Sequence, residues 1–135
     1  MSGKGLLLLV DDEEDIRQNL RDYAEMEGYE VLEAENGVEA LRILDHAQPG
    51  VVISDIMMPE MDGLELLKRL HAAGNDIPVI IMTAFGTIER AVKAMKLGAA
   101  DFITKPIDLD MMLQVVKRVL TRAELEQKVK QQERQ

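Results

Sequence analysis

Four apolar runs in this chain stop at residues able to handle a phosphoryl group. Leu6–Val10 runs into Asp11-Asp12, Val51-Val52-Ile53-Ser54 into Asp55, Pro78–Met82 into Thr83, and Asp101–Thr104 into Lys105. Three carboxylates side by side repel one another, and desolvation sharpens the conflict. A hard cation resolves it. Mg²⁺ prefers oxygen ligands and keeps several waters, so Asp12 and Asp55 suit direct ligation with a backbone carbonyl near Met57, while Asp11 suits a water-mediated role. An incoming phosphoryl group brings further negative charge, which the metal and Lys105 would neutralise. The Thr83 hydroxyl would donate a hydrogen bond to a phosphoryl oxygen. Asp55 would then attack phosphorus as a carboxylate nucleophile and become an acyl phosphate.

Each residue also has a plain reading. Asp11 and Asp12 would favour the positive end of a following helix. Asp55 would end a strand, Thr83 would cap a helix, and Lys105 would be a solvated lysine. What these readings leave unexplained is four strand ends carrying such groups at once. Met57, Met58 and Met61 read as packing residues, because thioethers prefer soft ions. His46 and His71 fall in helical stretches without metal-ligand spacing.

The elements that must position these groups alternate five times between short apolar runs and amphipathic stretches. Leu6–Val10 reads as a strand buried on both faces. Residues 13–27 place Ile16, Leu20, Tyr23 and Ala24 at helical spacing and stop at Gly28. Tyr29–Ala34 is a more polar strand suited to a sheet edge. Asn36-Gly37 opens a helix with Val38, Leu41 and Leu44 inward. After Asp55 a loop from Met57 to Gly63 precedes a helix carrying Leu64, Leu67 and Leu70. Ile88, Ala91, Val92 and Met95 mark a fourth helix, and Leu109, Met112, Leu113, Val116 and Leu120 a fifth.

Five βα units in series predict an α/β fold, a doubly wound five-stranded parallel sheet in the order 2-1-3-4-5 with helices on both faces, flavodoxin-like in its three layers. In such sheets sites form at the carboxyl ends of the strands, near the point where strand order reverses. The globular part is expected over residues 1–121. Residues 122–135 read as a helical extension or the start of an interdomain linker, since Leu125 and Val129 continue an i, i+4 apolar spacing among charged and Gln residues.

Composition bounds the partners. The chain has 135 residues, no Cys and 47% apolar residues, enough for a core without disulfides. The run Leu6–Val10 is too short to span a bilayer and leads into five acids, so a cytoplasmic protein is expected. Net charge is −9, which argues against direct binding to nucleic acid or an anionic membrane. Six bases stand against three acids over residues 117–135, so the body before them is more acidic still, at −12.

The pieces LLLLVDDEEDIR, VVISDIMMPEMDGLELL, PVIIMTAFG and GAADFITKPID, in this order and spacing, make the chain resemble the receiver domains of two-component response regulators from about Leu6 to Leu120. The resemblance implies Asp55 as phosphoacceptor, Asp11 and Asp12 as the acidic pair for Mg²⁺ with the Met57 carbonyl as a further ligand, and Lys105 as the phosphoryl-binding lysine. It implies Thr83 and Phe102 at the two switch positions and a cis bond at Lys105-Pro106. Phe102, where Tyr is common in that family, would swing inward without a hydrogen bond; its plain reading is core filling. The implied donor is a phosphohistidine on a sensor histidine kinase. The implied readout is a changed surface of helix four, strand five and helix five that pairs with a second receiver or a partner.

Within the family, TAFGTIERAVKAMKLGAADFITKPID is most similar to receivers of the nitrogen-regulator (NtrC) type. Those precede an ATPase domain and a DNA-binding domain, and the output would be transcription. The chain contains no GxxxxGK[ST] loop and no helix-turn-helix candidate, so it reads as a cut-out receiver or a single-domain regulator, with the trailing helix favouring the first. Three rivals share the pattern. A flavodoxin-like cofactor binder would need a phosphate loop after strand one, where Asp11-Asp12 would repel phosphate. An aspartyl-phosphate hydrolase would need a second acid after Asp55-Ile56. A receiver-shaped module that is never phosphorylated would have no use for the full acidic set with Thr83 and Lys105.

Overall fold

A computed structural model of the chain describes residues 4–84 and 88–133. Elements follow in the order β1 (Gly5–Val10), α1 (Glu14–Met26), β2 (Tyr29–Ala34), α2 (Gly37–Leu44), β3 (Val51–Asp55), α3 (Gly63–Ala72), β4 (Val79–Thr83), α4 (Ile88–Lys96), β5 (Asp101–Thr104) and α5 (Leu109–Glu133). The strands form one parallel sheet in the order β2-β1-β3-β4-β5, as expected. Parallel strands need covered faces, and the continuous apolar runs supply them: Leu7, Leu8, Leu9, Val10, Val51, Val52 and Ile53 are all fully buried.

Successive residues of each strand point to opposite faces, so the core divides in two. Leu7, Leu9, Val51, Ile53, Ile80 and Met82 meet Leu20 and Ala24 of α1 and Met112, Val116 and Val119 of α5. Leu8, Val10, Val52, Val79 and Ile81 meet Ala40 of α2, Leu66, Leu67 and Leu70 of α3, and Ala94 of α4. Truncating one of these fully buried leucines to Ala would cost about 2–5 kcal/mol, from lost transfer energy and the cavity left behind.

Helix starts are set locally. Asn36 and Asp62 each accept a hydrogen bond at 2.9 Å from the amide three residues on, Glu39 and Glu65, satisfying donors that the first turn leaves open. The second cap matters for the site, because α3 begins beside Asp55. A Cβ on Gly63 would fall 2.6 Å from the Asp55 carbonyl oxygen, so only glycine lets that helix start so close to the strand end.

One inward assignment differs, and other apolar positions of the helices lie at the surface. Val38 is exposed and Ala40 takes the inner face of α2. Tyr23 lies at the rim of α1, where its hydroxyl donates to the Asp110 carboxylate of α5. On α4, Ala91 and Ala94 are buried whereas Ile88 is 72% exposed, and Val92 and Met95 also face outward. Helical spacing identifies an apolar stripe but not which side of it meets the sheet. Here the small residues lie inward, and the larger ones form an outer surface. Met57 is half-exposed rather than packed, while Met61 is buried. Helix α5 continues past Leu120 to Glu133, and Leu125 on it is exposed.

Candidate functional site

Strand ends place the candidate residues together. Backbone bonds fix the rim: the Asp11 amide donates to Ala34 at 3.1 Å, the Ile56 amide to Met82 at 3.0 Å, and the Lys105 amide to Thr83 at 2.7 Å. Asp11, Asp12 and Asp55 each present a carboxylate oxygen within 4.8 Å of the other two, and among the described residues no other such acidic or histidine cluster occurs. His46 and His71 have no part in it.

The two adjacent acids are not equivalent. Asp11 is fully buried and Asp12 is exposed. One oxygen of Asp11 accepts from the Glu13 amide at 2.9 Å and the other from Lys105 Nζ at 3.1 Å. Among the described residues Asp12 carries no such internal bond, so its carboxylate is available to a ligand at the mouth.

Asp55 is buried at the end of the central strand. Its Oδ2 accepts from Lys105 Nζ at 2.9 Å and its Oδ1 from the Met57 amide at 3.2 Å. The second bond holds the Ile56–Met57 peptide against the carboxylate. Outside the pocket, the Arg90 guanidinium of α4 rests on the Met57 thioether, a contact that residue spacing gives no sign of.

Lys105 is therefore not the solvated lysine of its plain reading. Its side chain is largely covered and paired with two carboxylates. Burial alone would lower its pKa, but the hydrogen bonds to Asp55 and Asp11 outweigh that and hold it above the ordinary lysine value. For Asp11, burial pushes the pKa up and the nearby charge of Asp55 adds to it, against the opposing bonds from Glu13 and Lys105. A crowded set of carboxylates with a single ammonium between them still lacks positive charge. An all-oxygen donor set of this kind fits a hard divalent cation.

Thr83 ends β4 and is buried. It is a strand residue, not a helix cap. Phe102 lies on β5 opposite Ile81 and is 40% exposed. With that exposure it does not fill the core here. The Lys105-Pro106 bond is cis, as the resemblance implied.

The composition of the strand ends did not reveal Arg17. This residue of α1 is buried, its Nη1 donates to the Asp11 carbonyl at 2.6 Å, and its Nε donates to Glu33 of β2 at 3.1 Å. The only trace of it in the sequence is an arginine amid the acids of DDEEDIR, at a spacing that puts it on the inner side of α1.

Known proteins share the sequence pattern and the fold. A family model for the response regulator receiver domain matches residues 7–117. The regulatory protein AtoC of Escherichia coli is 41% identical over 120 residues, which cover 89% of this chain and 26% of AtoC. The C4-dicarboxylate transport transcriptional regulatory protein DctD of Pseudomonas aeruginosa is 44% identical over 118 residues, 84% of this chain and 25% of DctD. Thus the chain spans about a quarter of either regulator. Among solved structures, NtrX from Brucella abortus superimposes with a TM-score of 0.89 at 34% identity, over 93% of this chain and 29% of NtrX. The receiver domain of the Francisella response regulator 1452 does so with 0.84 at 32% identity, over 89% of this chain and 99% of that one.

Proposed function

The chain belongs to the response regulator receiver domain family, and from that premise we propose that Asp55 takes a phosphoryl group from a phosphohistidine of a sensor histidine kinase. It is a phosphoacceptor switch of two-component signalling, a signalling domain rather than a conventional enzyme. The observation that carries the residue assignment is the bond from Lys105 Nζ to Asp55 at the meeting point of four strand ends.

Asp55 Oδ attacks phosphorus. The new O–P bond forms as the N–P bond of the donor breaks, and its electron pair leaves with the imidazole nitrogen, which takes up a proton. Lys105 keeps its charge throughout, because the carboxylates around it favour the ammonium form, and it moves from carboxylate to phosphoryl oxygen. Thr83 donates its hydroxyl to another of those oxygens. Asp12 and Asp55, with the Met57 carbonyl, would hold Mg²⁺, and Asp11 would support the site through water. When bound, Mg²⁺ supplies Lewis-acid stabilisation of the charge on the transferring group.

The readout is packing. Movement of Thr83 toward the phosphoryl group vacates space beneath α4, and Phe102 turns inward to fill it. The apolar outer residues Ile88, Val92 and Met95 then present a changed α4-β5-α5 surface to a second receiver or another partner. Small differential contacts suffice, since a bistable element is biased rather than built. Residues 1–121 form the receiver and residues 122–135 lead toward an output module that regulates transcription, a reading supported by the transcriptional regulatory role in the name of DctD. Among the described residues no helix is long and apolar enough to cross a membrane, and the proposed setting is the cytoplasm.

Phosphorylation with acetyl phosphate, with and without Mg²⁺, followed by mass mapping, tests the assignment. The expected result is Mg²⁺-dependent labelling of Asp55 alone. Equal labelling of the Asp55→Asn variant would refute it.

A further inference from the structure

We infer that Arg17, clamped by Glu33, is a positioning residue that sets the Asp11-Asp12 peptide and so aims Asp12 at the metal. The inference rests on the metal-assisted reading of the pocket and concerns residues outside it.

The geometry is a relay across three elements. Arg17 Nη1 donates to the Asp11 carbonyl at 2.6 Å, and Arg17 Nε donates to Glu33 Oε1 at 3.1 Å. The other oxygen of Glu33 accepts from Arg21 Nη1 at 2.6 Å, and Arg21 Nε reaches Glu25 at 3.2 Å. Both oxygens of Glu33 are thus used, one by each arginine. The guanidinium of Arg17 is held in its plane from the β2 side and presented to the loop carbonyl.

That carbonyl belongs to the peptide joining Asp11 to Asp12. Because the peptide is planar, holding its oxygen fixes the direction of the Asp12 amide and the place of its Cα. The preceding end is already fixed, since the Asp11 amide is bonded to Ala34 and its carboxylate to Glu13 and Lys105. Arg17 closes the remaining freedom. Asp12 itself is exposed and, among the described residues, makes no internal bond that would orient it.

Energetics point the same way. A buried ion pair is a weak stabilising device, because desolvation offsets most of the attraction. A buried arginine whose Nη1 is spent on one loop carbonyl, next to the proposed divalent-cation pocket, is better explained as orientation of a ligand. Groups behind a ligand commonly tune metal affinity ten-fold or more.

The test is an Mg²⁺ titration of the whole chain followed by NMR amide shifts, for wild type, Arg17→Gln, Arg17→Lys and Glu33→Gln, with Arg69→Gln as a control at the exposed Arg69–Glu65 pair. We expect the Mg²⁺ dissociation constant to rise about ten-fold in Arg17→Gln, less in Arg17→Lys and Glu33→Gln, and not at all in Arg69→Gln. Labelling by acetyl phosphate should return toward the wild-type rate when Mg²⁺ is raised to saturation. A lower melting temperature with an unchanged dissociation constant in folded Arg17→Gln overturns the inference, because a merely structural residue would do that. Should Arg17→Gln fail to fold, unchanged Mg²⁺ affinity in both Arg17→Lys and Glu33→Gln overturns it equally. A wild-type chain that binds no Mg²⁺ overturns the proposed function itself, and the inference with it.

Discussion

The ammonium of Lys105 lies 2.9 Å from Oδ2 of Asp55, a residue 50 positions away, and the same ammonium reaches Asp11 at 3.1 Å. The proposed nucleophile is therefore already joined to the cation that a phosphoryl group would recruit, and charge neutralisation needs only a change of partner.

Removing that cation should have two separable effects. Lys105→Ala leaves two buried carboxylates without their donor, and a destabilisation of about 1–2 kcal/mol is expected, discounted for the partial exposure of the lysine. The switching response should be lost as well. Urea melts and phosphorylation-induced NMR shifts measure the two separately. The stabilising contribution of the wild-type lysine should persist at all pH values below its ordinary 10.5 and fade as pH rises through the higher folded-state value. A variant as stable as wild type with a normal response would remove Lys105 from the site.

Asp12→Ala should weaken Mg²⁺ binding more than Asp11→Ala. Asp11 is buried with both oxygens engaged, whereas Asp12 is exposed and uncommitted. Calorimetric titration of the two variants ranks them. The reverse ranking would mean that Asp11 gives up its internal bonds to bind metal directly.

Mg²⁺ should stabilise the fold, because it binds a cluster that exists only when the strand ends meet. At ten times its dissociation constant the gain is about 1.4 kcal/mol. Thermal melts with and without Mg²⁺ should show the increase in wild type and little in Asp12→Ala. Identical melting curves for wild type would argue against a metal in this pocket.

Beryllofluoride, a mimic of the phosphoryl group, should shift amide resonances well beyond the pocket, most strongly between Thr83 and Leu109. Thr83→Ala should reduce the remote part, since the buried hydroxyl is the proposed link to Phe102. Shifts confined to the loops of Asp12 and Asp55 would indicate phosphate binding without a switch.

Acid should loosen the Arg17–Glu33–Arg21 relay. Burial alone would raise the pKa of Glu33, but hydrogen bonds from Arg21 and Arg17 prevail and hold it below its ordinary 4.5. A carboxylate lowered in the folded state contributes stability above pH 4.5 that is lost as pH falls through the folded-state value. Denaturant midpoints measured from pH 6 downward should fall less steeply in Glu33→Gln than in wild type. Parallel acid limbs would show that the relay carries no net stability.

The order of elements, the parallel sheet and the meeting of Asp11, Asp12, Asp55 and Lys105 were all legible in the sequence. The reason is physical: a strand covered on both faces must be a continuous apolar run, so the residue that ends the run is visible, and parallel strands bring their ends to one side. The helix faces were less legible. Spacing marks the apolar stripe of α4, but Ala91 and Ala94 face the sheet while Ile88, Val92 and Met95 face out, because helix-to-sheet distance and the bulk of neighbouring side chains choose the inner side. Neighbours in sequence can also have opposite surroundings. Asp11 is buried and bonded and Asp12 is exposed, since successive side chains leave a strand end in different directions. Only the tertiary structure joined Arg17 to Glu33 and to the Asp11 carbonyl, or put the Lys105 ammonium between Asp11 and Asp55. Such distances depend on how far a strand projects and how a helix is rotated against it, and neither is written in the spacing of residues along the chain.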